Sequence, residues 1–426
     1  MTSRNVAETI HHVLGEPAGV GVVAHDGSSA GDLGEGARVV RLHSPRALAY
    51  IASHPGQLGF ARAYLQGDLT VDGMDEAYPY PELRLTAGFN PQVSLRELPD
   101  LVRVVREAGV KITELPELPE LETPSELRKL AHGIRHGKRR DAEAIRHHYD
   151  VSNRFYEMLL GPSMTYTCAV YPRDDATLEE AQAEKYDLVC RKLGLRPGMR
   201  LLDVGCGWGG MVRHAARHYG VSVLGVTLSQ AQASWAREKI EAEGLSGVEV
   251  RHSDYRDVTE RGFDAVSSIG LTEHIGVRNY PAYFGFLRDR LRDGGRLLNH
   301  CITWADPAHV PMRRTDFVAR YVFPDGELAS SGRIVTEIER VGLEVQHQEN
   351  LRQHYVRTCA AWCANLRDNW DACVAEAGLA TARVWGLYLA GSVYNFECNS
   401  IQLHQVLATR TSGAGEADYP LRPDFS

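Results

Sequence analysis

Residues 200–210, RLLDVGCGWGG, decide the fold of this chain. Their first half is rich in apolar residues and predicts a buried strand, and the following MVRHAARHYG predicts a helix. The glycines between them, Gly205, Gly207 and Gly209, allow a tight turn. Such a turn lets the backbone approach a ligand at the N-terminus of the next helix. The segment therefore predicts a strand, a ligand-binding turn and a helix.

The residues around this segment continue the same alternation. Thr177 and Glu180 form a capping-box pattern, which predicts a helix running to Leu193. Apolar strand patterns alternate with amphipathic helix patterns up to the strand RLLNHCIT at 296–303. This order is typical of an α/β fold in which a doubly wound parallel sheet has helices on both faces. Ligands bind beyond the carboxyl ends of the strands in such sheets, so we expect the functional residues there.

Composition limits the possible functions. The chain has 426 residues, enough for two folding units, and a net charge of −8, so we expect no nucleic-acid partner. We find no apolar run of the roughly 20 residues that cross a bilayer, and the first residues do not form a signal-peptide pattern. The eight cysteines include no CxxC pair, which favours reduced thiols and a cytoplasmic protein without disulfides or a metal site.

The best candidate for a domain boundary is residues 112–126, ITELPELPELETPSE, where Pro, Glu and Leu alternate. We predict a smaller α+β domain at 1–111, with an amphipathic helix near 45–55, and a larger domain at 127–426. The larger domain starts with a basic stretch, 127–148. This stretch is either a solvated helix face or a surface that attracts anionic phospholipid headgroups.

The glycine turn by itself has two interpretations, because many α/β proteins use one merely to pack a helix on a strand. Its GxGxG spacing differs from the GxGxxG pattern of NAD-binding turns, and the GxxxxGK[ST] phosphate loop is absent from the sequence. The second strand ends at Thr227, where a dinucleotide enzyme usually has an acidic residue. Asp203 before the turn, with Asp254 and Tyr255 after the third strand, resembles the S-adenosylmethionine pocket of class I methyltransferases, whose fold is Rossmann-like.

Further segments make the resemblance more specific. With the glycine turn, they resemble the cyclopropane-fatty-acyl-phospholipid synthase family, which includes the mycolic acid methyltransferases. They also resemble the actinobacterial branch that makes methylene- or methyl-branched fatty acids such as the tuberculostearic acid precursor. The resemblance covers roughly 140–410, and extends more weakly to 59–76 in the front domain, which the shorter mycolic acid enzymes lack. The segments are HHYDVSNRFYEMLL (147–160), MTYTCAVY (164–171), GVTLSQAQ (225–232), SDYRDV (253–258), SIGLTEHIGVRNYPAYF (268–284) and IQLHQVL (401–407).

The resemblance implies transfer of the S-adenosylmethionine methyl group to a double bond in an acyl chain of a membrane phospholipid. An alkene is a weak nucleophile and the reaction leaves a carbocation, so the site must be dry and must supply a base. In this family the base is a bound bicarbonate or carbonate. The matching residues here are Cys168, as a contact residue and not a nucleophile, Glu273, His300, Ile302 and Tyr355.

The resemblance also implies a set of cofactor residues. Asp203 would orient the turn, Gln232 would reach the ribose, and the Asp254–Tyr255 pair would contact adenine. The complete set is Tyr166, Thr167, Asp203, Gly205, Gly207, Gly209, Thr227, Gln232, Asp254 and Tyr255.

Structural interpretations of the same residues remain open. Cys168 taken alone would more often be a small buried apolar side chain, and His300 a histidine of the core. Glu273 is harder to explain structurally, because it directly follows an apolar strand, where an unpaired carboxylate is costly.

The sequence departs from the family at two places. Thr272 stands where phenylalanine is usual, and residues 395–400, NFECNS, stand where related synthases carry arginine and aspartate. These departures leave the product open between a cyclopropane and a slightly favoured methylene branch, which a partner reductase could reduce.

Other functions and partners also stay open. A methyltransferase acting on oxygen or nitrogen of a small molecule, and a non-catalytic lipid-binding protein, remain alternatives. We expect transient contact with the inner face of the membrane, through the front domain and 127–148. A homo-oligomer is left open.

Overall fold

The computed structural model describes residues 4–86, 98–110, 116–122, 152–309 and 316–425. The basic stretch 127–148 lies outside the described residues. The strands are β1 (Val20–Val23), β2 (Ser29–Gly31), β3 (Arg38–Leu42), β4 (Leu69–Val71), β5 (Arg200–Val204), β6 (Ser222–Thr227), β7 (Val248–His252), β8 (Phe263–Ile269), β9 (Leu291–Trp304), β10 (Ala329–Ser330), β11 (Glu344–Asn350) and β12 (Ile401–Thr409).

The helices follow in the same numbering by chain order. They are α1 (Val6–Val13), α2 (Pro45–Ser53), α3 (Gln57–Leu65), α4 (Tyr80–Leu85), α5 (Leu98–Glu107), α6 (Asn153–Leu160), α7 (Leu178–Leu193), α8 (Gly210–Tyr219), α9 (Gln230–Ala242), α10 (Thr272–Ile275), α11 (Tyr280–Arg290), α12 (Phe317–Tyr321), α13 (Ser331–Arg340), α14 (Arg352–Asp368), α15 (Trp370–Ala377) and α16 (Leu379–Glu397). Among the residues that the structure describes, none of these helices combines the length and apolar character needed to cross a bilayer.

The chain divides into two compact units. The first comprises Met1–Ala131, Met312–Pro324 and Leu366–Tyr394, and the second comprises the remaining three segments, His132–Pro311, Asp325–Asn365 and Asn395–Ser426. The sequence predicted a single continuous domain at 127–426, whereas two segments of that range belong to the first unit. Apolar side chains of these segments, including Phe317 and Val384, are buried in the core of the first unit, which explains the difference.

The first unit has an α+β fold. Its four-stranded sheet has the order β2-β1-β3-β4, with β1 and β3 parallel and the other pairs antiparallel. The predicted helix near 45–55 is confirmed as α2, which Ser44 caps at its N-terminus.

Part of the predicted linker is packed against the first unit. Residues 120–122 form a short 3-10 helix, and Glu122 is buried. Its carboxylate accepts hydrogen bonds from Arg62 and from the Tyr321 hydroxyl. Tyr50 donates from its hydroxyl to the Glu117 carbonyl at 2.5 Å. The Pro-Glu-Leu pattern predicted no regular structure, but it could not show that Glu122 finds a buried arginine.

The second unit has the predicted doubly wound sheet. Its strand order is β11-β12-β9-β8-β5-β6-β7, and β5 to β9 pair in parallel. Strands β12 and β11 extend the sheet beyond β9, and both pair antiparallel to their neighbours. Successive residues of β5, Leu201 and Leu202, belong to different core clusters, as alternation along a strand requires when helices cover both faces.

Candidate active site

Five of the predicted site residues lie at or near the carboxyl ends of the parallel strands. Gly205 follows β5, Thr227 ends β6, Asp254 follows β7, Glu273 follows β8, and His300 lies near the carboxyl end of β9. The chain reverses its direction of winding between β5 and β8, and a ligand in such a sheet binds beside that reversal. The topology therefore brings these five positions to one edge of the sheet.

The glycine turn is anchored to the neighbouring strand. The backbone N–H groups of Gly205 and Cys206 both donate to the Val226 carbonyl at 2.9 Å. Gly207 has a φ of +53°, and a Cβ placed there would meet no atom within 4 Å. The turn therefore leaves open space beside its backbone, as a bound cofactor requires.

Asp203 lies beneath the turn and is 2% exposed. It accepts a hydrogen bond of 2.6 Å from the Ser267 hydroxyl. Burial raises the pKa of the Asp203 carboxyl to about 6, against the opposing effects of Ser267 and Lys185. The hydrogen bond from Ser267 joins the ends of β5 and β8, and the role of orienting the turn stays a prediction.

Lys185 was missed by the sequence analysis. It comes from the middle of α7, is fully buried, and donates from Nζ to the Thr167 hydroxyl at 3.0 Å. Gln182, one turn earlier, donates to the Thr167 carbonyl at 2.9 Å. Burial lowers the pKa of the Lys185 ammonium to about 7. Because both side chains hold Thr167, they fix the segment that carries Tyr166 and Cys168.

Four other predicted cofactor residues have partners within the protein. Thr227 donates to Gln232 Oε1 at 2.7 Å, and both residues are buried. Asp254 accepts hydrogen bonds from the backbone and side chain of Arg256 and forms an ion pair with it. Tyr255 packs edge-on against Tyr283, with ring centroids 5.2 Å apart. The Asp254 carboxylate is thus already held by Arg256, a partner that the sequence did not reveal.

Aromatic rings connect the cofactor candidates to the base candidates. Trp362, from α14, contacts Tyr166 with ring centroids 5.3 Å apart and Tyr355 with centroids 6.0 Å apart. Tyr156 packs on the other side of Tyr166, and Phe396 packs against Tyr355. All five residues are largely buried, or half-buried in the case of Tyr166. The rings form a continuous apolar wall, which we call the aromatic wall.

Glu273 is held by the neighbouring strand. Its Oε1 accepts a hydrogen bond of 2.8 Å from the Ile302 backbone N–H. Its Oε2 is inaccessible to solvent and has no hydrogen-bond partner among the described residues. Burial raises the pKa of the Glu273 carboxyl to about 7. The structure thus brings together Glu273 and Ile302, which the resemblance had placed in the same set.

His300 and Cys168 are both fully enclosed. His300 is 1% exposed, and its Nε2 has no hydrogen-bond partner among the described residues. Burial lowers the pKa of its imidazole well below the usual value, so the ring is neutral. The Cys168 thiol donates to the Ala169 carbonyl at 3.2 Å, and burial raises its pKa. A thiol with a raised pKa is a poor nucleophile, which agrees with a contact role.

Comparison with known proteins places this geometry in a family. Residues 136–406 match the model of the mycolic acid cyclopropane synthetase family. The chain belongs to this family. Its sheet is that of the class I S-adenosylmethionine-dependent methyltransferases, as the sequence predicted.

Individual relatives cover different shares of the chain. A probable fatty acid methyltransferase of Mycobacterium tuberculosis is 56% identical over 94% of this chain and 93% of its own length. The cyclopropane-fatty-acyl-phospholipid synthase of Escherichia coli strain K12 is 31% identical over 83% of this chain and 84% of its own length. A crystal structure of a mycolic acid cyclopropane synthase in complex with SAH and CTAB is 33% identical, covers 63% of this chain and 97% of that chain, and has a TM-score of 0.60.

Proposed function

We propose that this family member transfers the methyl group of S-adenosylmethionine to the double bond of an unsaturated phospholipid acyl chain. The product is a methylene-branched or cyclopropane chain. The observation that carries the proposal is the pair of enclosed polar atoms, Glu273 Oε2 and His300 Nε2, which lack partners among the described residues. A buried polar atom costs free energy unless it is hydrogen-bonded, so a bound group that pairs with both atoms would be stabilised there.

The residues around the glycine turn fit the cofactor. The open space at Gly207 admits a ligand close to the backbone, and Lys185 fixes Thr167, another residue of the predicted cofactor set. The SAH in the related crystal structure supports the same assignment. When bound, S-adenosylmethionine supplies an electrophilic methyl group. The remaining work of the chain is to orient the cofactor, exclude water and receive a proton.

Glu273 and His300 fit a bicarbonate ion. A carboxylate oxygen accepts a hydrogen bond, whereas a protonated ring nitrogen donates one, and bicarbonate has both an O–H group and acceptor oxygens. The two residues would hold the ion next to the backbone of Ile302. The proton lost from the methylated chain would go to an oxygen of that ion. Loss from the added methyl closes a cyclopropane, and loss after a hydride shift gives a methylene branch.

The aromatic wall supports the exclusion of water. Trp362 and Tyr355 are 1% and 7% exposed, and both contact further rings. A carbocation formed beside such rings meets few water molecules, and their faces attract positive charge. This environment suits methyl transfer to carbon.

Product analysis tests the proposal. The protein is incubated with vesicles of oleoyl phospholipid and labelled S-adenosylmethionine, and the fatty acid esters are analysed by mass spectrometry. We expect chains that have gained one labelled carbon, and their fragmentation distinguishes cyclopropane from methylene. Label found on oxygen or nitrogen of a small molecule, with none in the chains, would refute the proposal.

Variants of two glutamates separate binding from catalysis. Glu273→Gln should retain S-adenosylmethionine binding in calorimetry, while turnover falls at least about 100-fold, since the substitution removes a charged partner of the base. Glu344→Gln, at an exposed position of β11, is the matched control and should leave both quantities unchanged. Equal loss of binding and turnover in Glu273→Gln would contradict the role assigned to Glu273.

We also propose that the first unit and residues 127–148 contact the membrane during catalysis. The stretch contains seven Lys and Arg residues, each worth about 1 kcal/mol near an anionic surface. We expect the protein to sediment with anionic vesicles and to be released as salt rises from 0.05 to about 0.5 M. Neutral vesicles are the control. Binding that does not change with salt would contradict an electrostatic contact.

A further inference from the structure

Two buried polar side chains are hydrogen-bonded in series to His300, and the function proposed above assigns no role to them. They are Lys192, from the last turn of α7, and Gln405, from β12. Both side chains are 1% exposed, like His300 itself. Gln405 lies directly opposite His300 in the antiparallel pairing of β12 with β9. The neighbouring strand thus fixes the contact between the two side chains.

Each of the two hydrogen bonds that Gln405 makes, one to Lys192 and one to His300, has only one possible donor. Lys192 donates from Nζ to Gln405 Oε1 at 2.7 Å and forms an ion pair with Glu349. An ammonium group has donors only, so the oxygen of the Gln405 amide must face it and the NH₂ group must face away. Gln405 Nε2 lies 3.2 Å from His300 Nδ1. The amide therefore donates to Nδ1, which must accept, and the ring proton is on Nε2.

The ring nitrogen on the far side, Nε2 of His300, carries the remaining proton. His300 is neutral because burial lowers its pKa, and Lys192 and Lys185 act in the same direction. A neutral ring carries one proton, and Nδ1 is already used as an acceptor. The Nε2–H group is the one without a partner among the described residues.

We propose that Lys192 and Gln405 are positioning residues that hold His300 in its Nε2–H tautomer. The ring then presents a donor to an oxygen atom of the bound group. The identity of that group as bicarbonate rests on the proposed function. The opposite tautomer would direct a lone pair at an anion and repel it. Residues that fix a tautomer in this way affect activity without touching the substrate.

Gln405→Glu tests the proposal, because it keeps the shape of the side chain and replaces the NH₂ donor by an acceptor oxygen. The new carboxylate pairs with Lys192 and accepts from Nδ1–H, which moves the ring proton to Nδ1. Nitrogen NMR of the full chain, labelled with ¹⁵N-histidine, reports the proton position directly. The His300 signal is assigned by its loss in His300→Asn.

We expect protonation at Nε2 in the native protein and at Nδ1 in Gln405→Glu. Turnover should fall about 10- to 100-fold, with S-adenosylmethionine binding unchanged. Gln348→Glu, at an exposed position of the adjacent β11, is the control and should change neither quantity. If Gln405→Glu does not fold, Lys192→Met removes the donor that orients the amide, and we expect a mixture of tautomers with lower turnover.

Two results would overturn the proposal. One is an Nδ1–H tautomer in the native protein, and the other is full turnover in a variant whose tautomer is reversed. Failure of the native protein to methylate any lipid would instead count against the proposed function. The NMR measurement would still decide the tautomer, so the two failures are distinguishable.

Discussion

The buried carboxylate of Glu273, to which we assign a catalytic role, lowers the stability of the folded protein. Its folded-state pKa is raised from 4.5 to about 7 by burial, so the unfolded chain loses its proton at lower pH than the folded chain. Between these two values the unfolded state binds fewer protons, and stability falls as pH rises. The shift corresponds to a cost on the order of 3 kcal/mol above pH 7.

Glu273→Gln should therefore unfold at higher denaturant concentration than the native protein at pH 8, although it turns over more slowly. The difference in unfolding free energy should grow from pH 5 to about pH 7 and then level off, because glutamine does not titrate. Urea titrations of the ligand-free proteins at four pH values measure it. A difference that stays constant over this range would show that Glu273 is ionised with an ordinary pKa.

Thr272 shows how a departure from the family pattern is accommodated. Its side chain is 1% exposed, and its hydroxyl donates to Asn299 Oδ1 at 2.6 Å. The hydroxyl is thus bonded within the protein, on the residue next to Glu273. This contact supports a structural role for Thr272, and it offers no direct reason for a changed product.

Thr272→Val keeps the branched shape and removes the donor. The Asn299 oxygen would then be buried without its partner, and we expect a loss of about 1–3 kcal/mol in unfolding free energy. Thr272→Ser retains the hydroxyl and should lose less. Urea denaturation measures both variants, and a larger loss in Thr272→Ser than in Thr272→Val would show that the methyl group and not the hydrogen bond matters.

At the scale of elements, the glycine turn joins β5 to α8. Gly207→Ala would place a methyl group in the open space beside the backbone, at a φ of +53° that costs roughly 1–2 kcal/mol for a residue with a Cβ. We expect the affinity for S-adenosylmethionine to fall at least tenfold in calorimetry, because the methyl group occupies space assigned to the cofactor.

Gly220→Ala is the control for this strain. Gly220 caps the other end of α8 with a φ of +62°, and a Cβ there would make ordinary contact with Pro197. Its stability should fall by a similar amount while cofactor affinity is kept. Similar affinity losses in the two variants would attribute the effect to strain and not to the cofactor space.

The sequence predicted the elements of the second unit because each carries its own local pattern. Residues 200–204 form a strand rich in apolar residues before a glycine turn, and Thr177 with Glu180 is a complete capping box, confirmed at the start of α7. The supporting side chains of the site could not be predicted in this way. Lysines on an amphipathic helix usually face solvent. Lys185 and Lys192 of α7 are buried, and only the tertiary packing shows this. Gln405 depends on the register between two strands that are a hundred residues apart in the chain.

At the scale of the whole molecule, the sequence did not show which later segments belong to the first unit. The pattern at 112–126, of which the structure describes 116–122, predicts an interruption of regular structure. It carries no information about which later segments pack with the front of the chain. Residues 317–321 and 379–394 resemble any other helices in composition. Their assignment follows from packing, because Phe317, Val322 and Val384 are buried in the core that α1, α2 and α3 also build.

Removing the first 126 residues should therefore destabilise the protein. The deletion takes away the partners of those three apolar side chains, and we expect it to produce aggregated protein with a lower melting temperature. Size-exclusion chromatography and calorimetry measure both effects. A monomeric product with native stability would show that the later segments fold without the front of the chain.

The first unit is built from three separate segments of the chain, and this limits how such proteins can be shortened. A single cut cannot separate the units, since each would lose pieces that the other half of the polypeptide encodes. A smaller enzyme with only the methyltransferase sheet would need coordinated changes at three places in the chain. Shuffling this front unit onto another catalytic chain would meet the same obstacle.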